Sequence, residues 1–206
     1  MKYFLPLAII MAIAFYLLHN KTPKVSHICP LNNENIVTLG DSIANGFGVN
    51  EKDSFAIQIP QSLGKNPIKL GIDGETTNGL LARIDNELNK INSIAMIIIS
   101  IGGNDFLRKL PEDSTKRNLD AIISKAKKHT NCIVIISVPS GILGGLTGGI
   151  SSIYNEVAKK YNILVESRSM PKILKDISLK LDQIHPNKEG HNLITNNVLD
   201  LVNKHK

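Results

Sequence analysis

The sequence predicts an α/β fold, a parallel sheet with helices on both faces. Three observations carry that prediction. From Asn35 onward, short apolar runs alternate with stretches of helical period, the pattern that strand-helix-strand units leave in a chain. Two of the runs, Ile94–Ile101 (I-A-M-I-I-I-S-I) and Cys132–Val138 (C-I-V-I-I-S-V), are apolar without alternation. Each is too short for a helix and reads as a strand buried on both faces, as in a parallel sheet. Finally, the run Asn35–Leu39 ends on Gly40-Asp41-Ser42, and the stretch Ile43–Val49 has too many glycines to continue a strand. In an open parallel sheet such a turn borders the crevice beyond the carboxyl ends of the strands.

In chain order, Ile36–Leu39 reads as the first strand. Ser54–Leu63 is then a helix, interrupted by Pro60, which lacks a backbone donor. Pro67–Ile72 is a short second strand. Thr76 or Thr77 caps a helix reaching about Asn89, with Leu80, Leu81, Ile84 and Leu88 on one face. After the central strand, Ser114 or Thr115 caps a helix to about Lys128. The strand from Cys132 stops before Pro139. A helix over Ile150–Tyr161, a short strand Ile163–Val165, a short helix near Lys172–Ile177 and a longer one from Asn187 to Asn203 complete the chain.

A chain of 206 residues with 42% hydrophobic content holds one ordinary domain and a short appendage. The appendage is Tyr3–Leu18, continuously apolar, and reads as a signal peptide or an N-terminal membrane anchor within residues 1–20. Its length falls a little short of a comfortable span. Residues 21–34, with Pro23 and Pro30, read as a linker, and 35–206 as the folded domain. An exported, periplasmic or cell-envelope location is the expectation. The net charge of +6 is spread without a dense basic block. That reads as solvated helix faces with weak attraction to anionic membranes. Aromatics at 4% give no stacking platform, so nucleic acid is not an expected partner. Cys29 and Cys132 form no C-x-x-C pair, which argues against structural zinc. A disulfide between them and two free buried thiols both remain open.

Four stretches carry chemistry. In the first, Ser42 sits where a strand ends, and the backbone N–H groups after it are free to receive an oxyanion. The second, Asp73-Gly74-Glu75-Thr76, comes straight after the second strand, and Gly74 lets the backbone approach a bound group. The third is Gly102-Gly103-Asn104-Asp105, at the end of the central strand, where the Asn104 amide can donate to a developing negative charge. Asp105 reads as a turn-stabilising carboxylate, with a catalytic acid as the rival. The fourth is Asp182-Gln183-Ile184-His185-Pro186-Asn187. A serine needs a base near neutral pH, and the imidazole needs an acceptor on its other nitrogen. Asp182 and His185 can meet on one turn. Metal ligation by Asp182, His185 and His191 is discounted, because no further His or Cys completes a shell.

Taken in order, Gly-Asp-Ser, Gly74, Gly-Gly-Asn-Asp and the late Asp-x-x-His-Pro-Asn resemble the SGNH (GDSL-type) hydrolases. The resemblance spans about Ile36–Val202 and looks closest to the bacterial thioesterase I, lysophospholipase and arylesterase branch. It implies a flavodoxin-like three-layer α/β/α sandwich with a five-stranded parallel sheet. It implies Ser42 as nucleophile, His185 as general base and Asp182 as its orienting acid. The implied oxyanion hole is the N–H of Ser42, the N–H of Gly74 and the side chain of Asn104. No metal and no cofactor are implied. The α/β-hydrolase elbow G-x-S-x-G is absent around Ser42. Two motifs depart from the family pattern: G-D-S-I stands for G-D-S-L, and D-G-E-T where the branch often has S-G-D-T.

The expected function is a serine esterase acting on lysophospholipids, short or medium acyl esters, or acyl thioesters. Phe106 and Leu107, with Ile142, Leu143 and Leu146 of the glycine-rich loop Pro139–Gly149, are candidates to bind an acyl chain. A carbohydrate or cell-wall O-acetylesterase is the enzymatic alternative. A non-catalytic binding module on the same fold is the alternative outside enzymes. The expected partner is a small-molecule or lipid ester, with the membrane reached through the N-terminal segment if it is uncleaved, and the expected state is a monomer.

Overall fold

The computed structural model describes residues 29–139 and 151–206. Among these, β1 (Asn35–Gly40), β2 (Asn66–Gly71), β3 (Ile94–Ser100), β4 (Ile133–Ile136) and β5 (Leu164–Glu166) form one five-stranded sheet in the order β2-β1-β3-β4-β5. Every pairing is parallel. The chain runs from β1 outward to β2, then returns to the far side of β1 for β3. That reversal opens a crevice at the carboxyl ends of β1 and β3, where α/β sheets bind ligands.

The helices are α1 (Ser42–Asn45), α2 (Phe55–Ser62), α3 (Thr77–Leu88), α4 (Gly103–Leu107), α5 (Glu112–Ala126), α6 (Ser152–Tyr161), α7 (Ser169–Lys175) and α8 (Lys188–Asn203). They divide into two layers: α3 packs on α5 and α5 on α6, while α8 packs on α2 and α7. Each layer meets the sheet through an apolar stripe of helical period. Leu80, Ile84 and Leu88 form it on α3, and Ile194, Val198 and Val202 on α8. Between the layers every residue of β3 and of β4 is buried, as their unalternated sequences predict. Strand β2 lies at an edge and is the most exposed, which is where Pro67 is tolerated.

Several boundaries differ from the sequence reading. Helix α5 starts at Glu112 after Pro111, not at Ser114 or Thr115. Pro111 (φ −57°) already has the backbone that leads into a helix, and Thr115 is drawn inward to Asp105. The short helices α1 and α4 have no counterpart in the sequence reading. Each is about one turn long and glycine-flanked, too brief to show a period.

Cys29 and Cys132 form a disulfide that closes a separation of 103 residues. The Cys29 N–H also donates to the carbonyl of His205 at 2.8 Å, and Asn33 Nδ2 to the carbonyl of Ile94 at 3.0 Å. Residues 29–34, read as linker, are therefore built into the domain. No helix among the described residues is long and apolar enough to cross a membrane. The predicted apolar segment 3–18 lies outside the described residues.

Candidate active site

Gly40 ends β1 with φ +146°, and a Cβ there would lie 1.8 Å from the carbonyl oxygen of Ser100. Only glycine lets β1 close this tightly on β3. The next N–H, of Asp41, donates to that same carbonyl at 3.1 Å. The Asp41 side chain turns back as a helix cap, with Oδ1 accepting from Ile43 N at 3.1 Å. Ser42 thus opens α1 at the crevice. Asp41 is almost wholly buried, and burial pushes its pKa up to about 7 against the pull of the Ile43 hydrogen bond.

His185 arrives on the loop between the 3-10 turn Ile177–Leu179 and α8. The loop folds back on itself: Leu181 N–H donates to the His185 carbonyl at 2.8 Å, and Asn187 N–H to that of Leu179 at 3.0 Å. Asn187 then caps α8 by accepting from Gly190 N at 3.0 Å. Asp182 Oδ1 accepts from the N–H groups of Ile184 and His185, both at 2.8 Å. Its Oδ2 lies 2.7 Å from His185 Nδ1, and His185 Nε2 lies 3.0 Å from Ser42 Oγ. In the tautomer with the proton on Nδ1, that N–H donates to Asp182 and the Ser42 hydroxyl donates to Nε2. Partial burial raises the Asp182 pKa, but the two N–H groups and the imidazole outweigh it and hold the carboxyl at about 2.

Gly74 (φ +74°) lies in a turn closed by Glu75 N–H on the Ile72 carbonyl at 3.2 Å. Two contacts fix that turn from across the crevice. Asn104 Nδ2 donates to the Glu75 carbonyl at 2.9 Å, and Arg108 to the Gly74 carbonyl at 2.8 Å. From behind, the Glu75 carboxylate pairs with Arg83, which also bonds Glu87 and the Leu70 carbonyl. The glutamate that departs from the family's S-G-D-T is long enough to reach this arginine. Gly74 and Asn104, expected together, are therefore brought together. Asp105 stands as the turn-stabilising carboxylate of the two readings. It is 1% exposed and accepts from Thr77 N at 2.9 Å, from the Thr77 hydroxyl and from Thr115, tying α3, α4 and α5. His191, weighed as a metal ligand, is buried in α8, where its Nδ1 accepts from Phe55 N.

Ser42, Asn104 and His185 open onto a cavity of about 640 Å³. Its walls are apolar and include Ile43, Phe106, Leu107, Met170 and Leu174. Phe106 and Leu107 stand where the sequence reading puts them. Ile142, Leu143 and Leu146 lie outside the described residues. Met170 and Leu174 are absent from that reading, since apolar residues four apart on a short helix look like ordinary core. Phe47 is a further omission: its ring lies 4.6 Å from that of His185, centroid to centroid.

The GDSL-like Lipase/Acylhydrolase family matches residues 38–193. The chain belongs to that family. It is 24% identical over 166 residues to thioesterase 1/protease 1/lysophospholipase L1 of Escherichia coli K12, covering 78% of this chain and 79% of that protein. It is 27% identical over 184 residues to an arylesterase of Vibrio mimicus, covering 84% and 90%. Two solved structures share the fold. The crystal structure of TesA has a TM-score of 0.72 at 20% identity, covering 82% of this chain and 98% of that one. The psychrotrophic esterase EstA from Pseudoalteromonas sp., inhibited by monoethylphosphonate, has a TM-score of 0.69 at 22% identity, covering 84% and 98%. The GDSL-like family accords with the three-layer architecture, and its match spans all four motifs.

Proposed function

We propose that this GDSL-family protein is a serine esterase that cleaves acyl esters through an acyl-enzyme on Ser42. The observation that supports it best is the unbroken relay from Ser42 Oγ to His185 Nε2 and from His185 Nδ1 to Asp182. His185 takes the Ser42 proton as Oγ attacks the acyl carbon. Asp182 keeps the imidazole in the accepting tautomer and offsets the charge it gains. The carbonyl oxygen becomes an oxyanion, received by the N–H groups of Ser42 and Gly74 and by Asn104 Nδ2. Collapse expels the alcohol or thiol, protonated by His185. Water, deprotonated by the same base, then frees the acid and restores Ser42.

The apolar cavity favours substrates that carry an acyl chain over simple acetates. Lysophospholipids, medium-chain esters and acyl thioesters fit it better than O-acetylated sugars. The Cys29–Cys132 disulfide and the apolar stretch 3–18 support an exported, oxidising location.

Hydrolysis of p-nitrophenyl esters from acetate to palmitate, with the wild type and Ser42→Ala, tests this reading. We expect turnover that peaks beyond acetate and falls by about 10⁴-fold or more in the variant. Equal turnover in the two proteins removes Ser42 as nucleophile. A sharp optimum at acetate favours the O-acetylesterase. No turnover and no labelling by a fluorophosphonate favours a binding module.

A further inference from the structure

Among the described residues, six large apolar side chains stand open to solvent: Phe47, Ile72, Leu107, Leu110, Ile177 and Leu181. Single exposed apolar residues are ordinary when scattered. These are not scattered. Ile72 comes after β2, Phe47 after α1, Leu107 and Leu110 after β3, and Ile177 and Leu181 lead into His185. All lie on the edge of the domain that carries the carboxyl ends of the strands. Leu107 lines the cavity, and Phe47 lies against the His185 ring. Leu181 covers Gly48 so closely that a Cβ there would come within 2.4 Å of it. Ile177 is 84% exposed.

Cations flank this rim. Arg168, Lys172 and Lys175 surround a shallow depression beside Ile177, and Lys180 reaches the cavity wall. Asp176 is occupied by the N–H and hydroxyl of Ser178, and Arg168 is paired with Asp200 at 3.2 Å, which leaves Lys172 and Lys175 as the cations of this corner. Across the mouth, Arg108 and Lys109 come after Leu107, with Glu112 and Asp113 beyond them. The corner around Ile177 is therefore apolar at its tip and basic at its base.

We propose that this edge docks on an anionic lipid surface. Ile177, Leu181 and Leu107 enter the headgroup boundary, and Lys172 and Lys175 lie against the phosphates. Aliphatic tips around an apolar mouth, with lysines set back from them, suit a bilayer boundary. A protein partner is a poorer match, because protein interfaces centre on free aromatic and arginine anchors. Phe47, the one aromatic among these exposed side chains, is engaged by His185. The docking edge is also distinct from the end of the domain that carries Cys29. Cys29 is bonded to Cys132 at the start of β4, on the opposite edge. The inference rests on the placement of these side chains, and its test needs no turnover.

The chain contains no tryptophan, so a single introduced one reports alone. Ile177→Trp marks the docking edge and Lys90→Trp, exposed between α3 and β3, the opposite one. The full chain is mixed with phosphatidylglycerol or phosphatidylcholine vesicles whose acyl chains are brominated. On phosphatidylglycerol we expect the emission of Ile177→Trp to shift to the blue and be quenched, with that of Lys90→Trp unaffected. Adding Lys172→Glu and Lys175→Glu should weaken that partitioning by about tenfold or more, since each basic residue near an anionic leaflet contributes a several-fold gain. Hydrolysis of p-nitrophenyl acetate should stay unchanged. Quenching confined to Lys90→Trp, equal quenching on the two lipids, or none on either overturns the proposal. Absence of ester turnover from the unsubstituted chain, with quenching of Ile177→Trp intact, counts against the esterase reading and leaves docking in place.

Discussion

Asn104 carries two amide hydrogens, and one of them is already engaged with the Glu75 carbonyl. That bond fixes the amide plane, and in the proposed mechanism the second hydrogen is left for the oxyanion without reorientation as charge develops. Asn104→Asp keeps the shape but turns a donor into an acceptor facing both Glu75 and the substrate. We expect kcat to fall by about 10²–10³-fold or more with KM little changed, as for loss of one oxyanion donor; a variant that raises KM alone removes Asn104 from this role. The residues of this machinery are legible in the sequence because each sits directly after a strand or in one local turn. Asp182 and His185 satisfy each other within three residues, and no long-range packing is needed to pair them. Phe47, Met170 and Leu174 are not legible, because their roles come from tertiary neighbours that leave no local pattern. The burial of Asp41 is equally hidden: an N-cap aspartate is usually solvated, and here α1 is folded down against β2 and β1.

At the scale of elements, the long strands and helices are visible because their apolar periods extend over many residues. Single-turn helices are not. The Cys29–Cys132 pairing needs the structure, since no spacing rule brings residues 103 apart together. This crosslink pins the strap 29–34 to the foot of β4, where the Cys29 N–H also holds the end of the chain at His205. Closing so long a loop restricts the unfolded chain, and the chain-entropy relation gives about 4–5 kcal/mol for a loop of roughly this length. We therefore expect reduction, or Cys29→Ser with Cys132→Ala, to lower stability by about 2–5 kcal/mol in urea unfolding. The Ser42–His185–Asp182 relay lies at the carboxyl ends of the strands, away from the foot of β4, so turnover in buffer should be little changed. A reduced protein with unaltered unfolding midpoint would show that the strap contributes nothing to the fold.

Across the whole molecule, two buried groups pull the pH dependence of stability in opposite directions. Burial raises Asp41 from 3.8 to about 7. Between those values the folded chain keeps a proton that the unfolded chain has released, so stability falls as pH rises through that window. Burial lowers His191 from 6.5 to about 4, its buried Nε2 having no partner. Between those values the unfolded chain holds a proton that the folded chain rejects, so stability falls as pH drops. At 1.36 kcal/mol per pKa unit, each effect is on the order of 3–4 kcal/mol. The windows overlap from about pH 4 to 6.5, and there the two slopes largely cancel. Exposed carboxylates with lowered pKa, such as Asp85 and Asp200, act below that range. Asp41→Asn retains a good cap for α1 and removes one slope. It should be more stable than the wild type at pH 8 and lose stability steadily from pH 6.5 to 4. His191→Gln should do the reverse, losing stability as pH rises from 4 to 7. Urea unfolding free energies at pH 4.5, 6 and 8 decide it: three parallel curves would show that neither group's pKa differs between the folded and unfolded chain. Opposed curves would show that Ser42 follows a carboxyl group that is neutral in mild acid and charged in mild base, beside an Asp182 that, held at about 2, keeps its charge throughout.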